Sequence, residues 1–256
     1  MPVRNRRLPS RRSQRGFIVN PFVFAGDPFF ANVVILAPLS AQVSSAFVDQ
    51  SSYARTLTSV ANVALDTSQY PFPPASATFD GTGDTITTPI TSALQPGTTD
   101  FTLECYVRPP TPLPGSLRFI FSTRSTAGND AGVYMFLNSS GFVEFRVPPG
   151  NGGTNLVSML SNTTLPAAAW THVCIIRVGV DWYMFFNGTN VAHATVSSGM
   201  SVASTNGSLW IGGSSNEAGG REWLGNIGPV RWTIGGSTQR YNQTAFTPDP
   251  LPWFAK

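Results

Sequence analysis

The chain has 256 residues, of which 41% are hydrophobic and 11% charged, with 24 Gly and 21 Pro. This length can bury a sizeable core, and charge this sparse excludes a disordered chain or a coiled coil. Six Arg and no acidic residue fall within residues 1–15, so the net charge of +3 divides into a basic arm and a mildly acidic body. No run of about 18 apolar residues occurs, which argues against a transmembrane helix and a membrane partner.

Two unusual segments open the chain. Residues 1–15 form an arginine-rich arm (Arg4, Arg6, Arg7, Arg11, Arg12, Arg15), and residues 16–30 form a Phe/Pro-rich strap (Phe17, Phe22, Phe24, Phe29, Phe30). Leaving each Phe in water costs roughly 1.5–3 kcal/mol, so we expect the strap to pack on this domain or on a partner. The apolar strap beside the arm favours docking on an acidic protein surface. Nucleic-acid binding is disfavoured because the arm has no aromatic residue for base stacking, and a merely solubilising tail is the third interpretation.

From residue 31 onward, short runs alternate apolar and polar residues and are separated by Gly, Asn, Ser and Pro. This pattern predicts antiparallel strands, and Ser51–Arg55 is the single candidate helical turn. Hairpin turns are predicted at residues 138–141 and 179–181 and at Asn187-Gly188. The predicted strands, in chain order, are Asn32–Pro38, Ala77–Asp80, Phe101–Arg108, Leu117–Thr123, Val133–Leu137, Phe142–Val147, Leu156–Leu160, Trp170–Val178, Trp182–Phe186, Leu209–Ile211 and Glu222–Ile234.

Short strands without intervening helices favour an all-β antiparallel sandwich or barrel. In Phe101–Arg108, Phe101, Leu103, Cys105 and Val107 share one face, and Thr102, Glu104, Tyr106 and Arg108 share the other. Cys105 and Cys174 lack metal or redox spacing, so both are expected to be buried free thiols. Synthesis in the cytoplasm is the compartment that fits them best.

Six short motifs occur in a recognisable order. They are Phe79-Asp80-Gly81-Thr82-Gly83-Asp84, Asp100-Phe101-Thr102-Leu103-Glu104, Trp170-Thr171-His172-Val173, Asn187-Gly188, Leu209-Trp210-Ile211-Gly212-Gly213 and Gly225-Asn226-Ile227-Gly228-Pro229-Val230-Arg231. Their order resembles the concanavalin A-like lectin/glucanase superfamily, in particular the laminin-G-like domains common in structural proteins of tailed bacteriophages. The resemblance implies a jelly-roll sandwich of two antiparallel sheets over residues 31–256, with an extended N-terminal arm.

Enzymatic chemistry is not expected. A retaining glycosidase needs two carboxylates about 5–5.5 Å apart, and the acidic residues alternating along one strand that the glucanases of this superfamily use are missing here. Glu104 is followed on its face by Tyr106 and Arg108, and Glu144 stands alone. His172 and Cys174 share a strand face without an orienting acid, so we expect both His172 and His193 to pack in the core.

Two binding sites are candidates. Relatives with this fold often bind calcium, and Asp80 and Asp84 are the best candidate ligands, with Asn129, Asp130 or Asn216 as more distant partners. Asp-Gly and Gly-Asp pairs are also common turn residues, so turn formation is the alternative for this loop. For a glycan, Tyr134, Trp182, Trp223 and Trp232 could stack on sugar rings and the 214–221 loop could form a rim, although most Trp side chains in a sandwich are packing anchors.

These observations favour a non-catalytic virion structural protein, synthesised in the host cytoplasm. The first hypothesis is a head decoration or cement protein that the arm and strap anchor to capsid subunits, and that forms a homo-oligomer. The alternative is a glycan-binding receptor-recognition or tail-fibre module of a phage particle. Fold alone does not decide between them.

Overall fold

Because apolar and polar residues alternate and Gly, Asn or Pro recurs every few residues, the chain folds into short strands rather than helices. The computed structural model describes residues 27–124, 131–150, 153–203, 207–214, 220–235, 241 and 243–248. Two 3₁₀ turns, Phe30–Asn32 and Ser92–Leu94, are the only helical elements in that part of the chain. Its strands are β1 Val33–Ala37, β2 Gln42–Val43, β3 Ala46–Val48, β4 Thr56–Val60, β5 Ala64–Asp66, β6 Ser76–Asp80, β7 Thr85–Pro89, β8 Phe101–Arg108, β9 Arg118–Ser122, β10 Tyr134–Leu137, β11 Phe142–Val147, β12 Val157–Thr164, β13 Thr171–Val178, β14 Asp181–Phe186, β15 Thr189–Thr195, β16 Ser208–Ile211 and β17 Leu224–Ile234.

The strands form two antiparallel sheets. Sheet A has the order β15-β14-β13-β8-β17-β6-β5, and β1 also pairs with β17. Sheet B has the order β12-β11-β10-β9-β16-β7-β4-β3-β2. Seven of the fifteen neighbouring pairs of these strands join strands that are not consecutive in the chain, as in β17 beside β8 and β16 beside β9, which is the crossing pattern of a jelly roll. The predicted all-β jelly-roll sandwich of two antiparallel sheets is therefore confirmed.

The main core lies between the sheets. Every second residue of each sheet points into it, so Leu103, Phe145 and Ile211 lie in one continuous apolar cluster. Three tryptophans fill its largest spaces, and Phe101 meets Trp182 and Trp232 edge to face at 5.4 and 6.1 Å. Cys105 and Cys174 are buried free thiols, as predicted.

Chain segments from both ends cover the outer face of sheet A. Phe30 packs against Val33, Leu36 and Tyr106, while Tyr241 and Phe246 pack against Cys174, Ile176 and Phe185. Consequently the first five residues of β8 are all buried. The sequence predicted that one face of this strand lies in the core, whereas the structure buries side chains on both faces. Phe30, at the end of the predicted strap, thus packs on the sandwich of its own chain.

Most predicted strands are present to within one or two residues, and β8 and β11 match their predicted bounds. The strands missed were β2–β5, β7 and β15, and the expected helical turn at Ser51–Arg55 is wrong. Asp49 instead fixes a tight turn there, because its carboxylate accepts hydrogen bonds from the backbone N–H of Ser51 and Arg55 at 2.9 and 3.0 Å. Within the ranges described above, no helix has the length and apolar character needed to cross a membrane.

Candidate ligand-binding face

The outer face of sheet B is where strand register brings polar and aromatic side chains together. Tyr134 of β10 pairs with Arg146 of β11 on one side and with Ser122 of β9 on the other, and Ser122 pairs with Trp210 of β16. The parallel row two residues away joins Glu144, Phe136 and Phe119. Because residues facing each other across an antiparallel pair point to the same side, both rows lie on one surface.

Three aromatic rings form the base of this surface. Tyr134 and Phe136 stack at 5.8 Å with an interplanar angle of 18°, and Phe119 packs against both. Two guanidinium groups lie over the rings, with Arg124 at 4.7 Å from the Tyr134 centroid and Arg146 at 5.1 Å from that of Phe136. We call Phe119, Tyr134, Phe136, Glu144 and Arg146 the aromatic–arginine face.

A fixed hydrogen-bond network borders the rings. The Glu144 carboxylate accepts a hydrogen bond from Asn138 Nδ2 at 3.0 Å and forms an ion pair with Arg146. Burial opposes the charge of Arg146, but hydrogen bonds to Tyr134 and Glu144 and the charge of Glu144 outweigh it and raise the pKa. The Arg146 side chain nevertheless remains 35% exposed. The network therefore presents a preoriented cation and carboxylate to solvent.

The four predicted sugar platforms do not stand at the surface. Trp182, Trp223 and Trp232 are 0% exposed within the inter-sheet core, so they cannot stack on a sugar and that hypothesis is wrong for all three. Tyr134 lies on the predicted kind of surface, but its ring is 6% exposed beneath Arg124 and acts as support. The half-buried indole on this sheet is that of Trp210, which the sequence analysis did not select.

The Asp80–Asp84 loop is held together by its own backbone. Both carboxylate oxygens of buried Asp84 accept backbone N–H bonds, from Asn62 and Asp80, each at 2.7 Å. Asp80 accepts a bond from the Thr82 N–H at 2.8 Å, which closes an Asx turn. No cluster of three or more His, Cys, Asp or Glu is present among the described residues. Asn129, Asp130 and Asn216 lie outside them, so calcium binding stays a prediction.

Most of the predicted docking segment also lies outside the described residues. This holds for the six arginines of the arm and for Phe17, Phe22 and Phe24. Phe29 and Phe30 are described and half-buried, and Phe30 contacts the sandwich of its own chain. Asp27 of the strap forms an ion pair with buried Arg231. These contacts hold the end of the strap on sheet A.

A second set of charged residues lies buried on sheet A. The carboxylate of Glu104 contacts His172 Nε2 at 3.0 Å and lies 3.9 Å from Arg231 Nε. All three side chains are at most 2% exposed, as the outer face of this sheet is covered there. His172 is therefore a packed histidine, as predicted, and this group lacks the access that a substrate would need.

His193 differs from its predicted place in the core. Its ring stacks on Tyr183 at 4.6 Å and contacts Asp181 at 3.1 Å, with 46% of the side chain exposed. Hydrogen bonds from Thr195 and His193 lower the pKa of Asp181. The prediction failed because β15 pairs at the edge of sheet A, where only alternate residues are covered.

Comparison with known proteins agrees with this architecture. A family model described as the concanavalin A-like lectin/glucanases superfamily matches residues 80–233. No curated protein matches the sequence.

Solved structures extend the likeness beyond that range. The binding domain of Paraclostridial Mosquitocidal Protein 1 superposes with a TM-score of 0.65 at 12% identity, over 86% of this chain and 50% of that one. The binding domain of botulinum neurotoxin serotype D superposes with a TM-score of 0.61 at 14% identity, over 82% of this chain and 50% of that one. A Trypanosoma rangeli sialidase bound to a difluorinated keto-deoxy-nononic acid superposes with a TM-score of 0.57 at 16% identity, over 81% of this chain and 31% of that one.

At such identities these three structures share only the fold, and the chain spans half or less of their length. The family match covers more than half of this chain and agrees with the observed jelly roll. The protein is therefore a member of the concanavalin A-like lectin/glucanase superfamily.

Proposed function

We propose that this protein is a non-catalytic glycan-binding module of a virus particle, with the aromatic–arginine face of sheet B as its binding surface. The Asn138–Glu144–Arg146 network is the observation that carries the proposal. Sugars are bound by planar, fixed hydrogen-bonding groups, and this network supplies them above a base of buried aromatic rings. Two fold neighbours are themselves named as binding domains, which supports a binding role.

The arrangement of charges favours binding over hydrolysis. The Glu144 carboxylate is already engaged by Arg146 and by Asn138 Nδ2, whereas a general acid must present its carboxyl group to the leaving oxygen of a substrate. Its cross-strand neighbours are Phe136 and Leu160, and neither side chain can serve as the second carboxylate of a glycosidase. A carboxylate held in place by its contacts with Arg146 and Asn138 is suited to orienting a hydroxyl.

The direct test is an array of bacterial surface polysaccharides probed with the full chain and with Arg146→Gln. The variant removes the charged fork of donors, so we expect every signal to fall by about ten-fold or more. Arg108→Gln, on the outer face of sheet A, is the matched control and should bind like the wild type. Equal binding by the wild type and Arg146→Gln, or binding of no glycan at all, would overturn the proposal.

A second candidate, decoration of a phage head, is favoured by the Asp27–Arg231 ion pair. This contact holds Asp27 on sheet A, and the candidate role is that residues 1–26, which precede it in the chain, contact a neighbouring subunit. Co-sedimentation with undecorated heads tests this candidate, using the full chain and a deletion of residues 1–26 that keeps Asp27 and Phe30. Head binding by the full chain alone supports decoration through the arm. Equal binding of the two forms contradicts it, as does binding of neither.

A further inference from the structure

Five neighbouring strands of sheet B contain no charged residue. They are β16, β7, β4, β3 and β2, which occupy one half of the sheet. The other half, β9 to β12, contains Arg118, Glu144 and Arg146. Since exposed sheet faces in monomeric proteins usually carry charge that prevents association, the neutral half is unusual.

Register shows which neutral side chains face outward. Phe47, Leu57 and Ile86 point into the core, so their neighbours in β3, β4 and β7 form the opposite surface. The most exposed apolar members are Val43, at 69%, and Val48 and Val60, each at 41%. We call the whole set the valine–threonine face: Val43, Ala46, Val48, Thr56, Thr58, Val60 and Thr87.

We propose that the valine–threonine face binds the same face of a second copy of this chain, forming a twofold dimer. A face without charge meets its own copy with no like-charge repulsion, which a twofold contact between charged faces must otherwise relieve. β-branched side chains on a sheet pack well against another sheet about 10 Å away. A partner recognised by charge would find no complementary group there.

The size of the face predicts a weak dimer. Five strands spaced about 4.8 Å apart, with up to five residues each, give a footprint of roughly 20 by 17 Å, which is smaller than a standard stable interface. With the twofold axis parallel to the strands, the two aromatic–arginine faces lie on opposite sides of the dimer. Two copies would then offer two ligand-binding faces, which raises the avidity for a repeated ligand. The dimer itself does not depend on glycan binding.

Sedimentation velocity of the full chain across a concentration series is the first measurement. We expect the mass to rise from that of a 27.4 kDa monomer toward twice that value at about 100 µM. The double variant Thr56→Glu/Thr58→Glu, in the central strand β4, should weaken association by about 100-fold or more, because β4 meets its own copy across an axis parallel to the strands and like charges then face each other. Leu160→Glu is the control, since Leu160 is 55% exposed on the other half of the same sheet.

A charge-reversal pair separates specific pairing from misfolding. Thr56→Lys/Thr58→Lys should also be monomeric alone, and mixing it with the glutamate variant should restore dimers. Recovery of dimers in the mixture supports the twofold contact. A wild type that stays monomeric, dissociation by Leu160→Glu alone, or failure of the mixture to associate would each overturn the proposal.

Discussion

The two sheets of the sandwich share one core but differ on their outer faces. On sheet A, the first five residues of β8 and the first seven of β13 are buried, because segments from both chain ends pack over them. On sheet B, β11 alternates throughout and β12 alternates up to Asn162, whereas β9 and β10 are almost entirely buried. The same strand pattern therefore produces a closed face at β8 and β13 of sheet A and an open one at β11 and β12 of sheet B.

This difference decides what charged side chains do in each place. Glu104 on sheet A is fully buried between His172 and Arg231, so it contributes to holding the fold together. Glu144 on sheet B forms a comparable pair with Arg146 but remains in contact with solvent. Burial removes the first group from reach, whereas partial exposure leaves the second available to a ligand.

The sharpest test of this contrast is to replace a glutamate by glutamine on each sheet, at Glu104 on sheet A and at Glu144 on sheet B. We expect Glu104→Gln to lower the free energy of unfolding by about 3–5 kcal/mol, because it removes the carboxylate that contacts buried His172 and lies beside buried Arg231. The other charged partner of Arg231 is Asp27. Chemical denaturation monitored by tryptophan fluorescence measures the change. A loss below about 1 kcal/mol would show that the sheet A group is solvated like a surface pair.

Asp27→Asn tests whether the strap contributes to the closed face. We expect a smaller loss of about 1–3 kcal/mol, since Asn keeps the hydrogen bond to the Phe29 N–H but gives up the charge paired with Arg231. Asp80→Asn is the matched control, because Asp80 accepts an equivalent bond from Thr82 without an ion pair. If both variants unfold at the same denaturant concentration, the strap does not stabilise sheet A.

Glu144→Gln should cost less than about 1 kcal/mol, because its pair with Arg146 is partly open to solvent. Glycan binding should nonetheless fall by about ten-fold, since Arg146 loses the partner that orients it. Comparing denaturation with titration of an array-identified glycan separates the two effects. Unchanged affinity would remove Glu144 from the binding network.

The smallest effect is expected at Val48. Val48→Thr keeps the β-branched shape on an exposed position, so the unfolding free energy should stay within about 0.5 kcal/mol. A thermal melt of the dilute monomer checks this. A larger loss would mean that the valine–threonine face is covered within the monomer.

Much of the fold was accessible from local pattern. Phe101–Arg108 alternates so regularly that β8 was predicted with its observed bounds, and the six ordered motifs indicated the correct superfamily. The strands that were missed are short or rich in Thr and Ser, such as Thr56–Val60, where a single buried Leu57 gives too little apolar contrast.

The candidate site was less accessible because it depends on pairing between distant strands. Glu144 was judged to stand alone, although Arg146 follows two residues later on the same face and could have been noticed. Trp210 and Phe119 join the surface only through the pairing of β9 with β16 and β10. For the tryptophans, the sequence shows that large apolar side chains are present, but not whether they point into the core or toward solvent.

The long strand β17 has a consequence for how the protein is made. It comes last among the strands, yet in sheet A it pairs with β6, β8 and the first strand, β1. A nascent chain that ends before residue 224 leaves those three strands without their shared neighbour. Folding of sheet A must therefore wait until β17 has emerged from the ribosome and can pair with strands made much earlier.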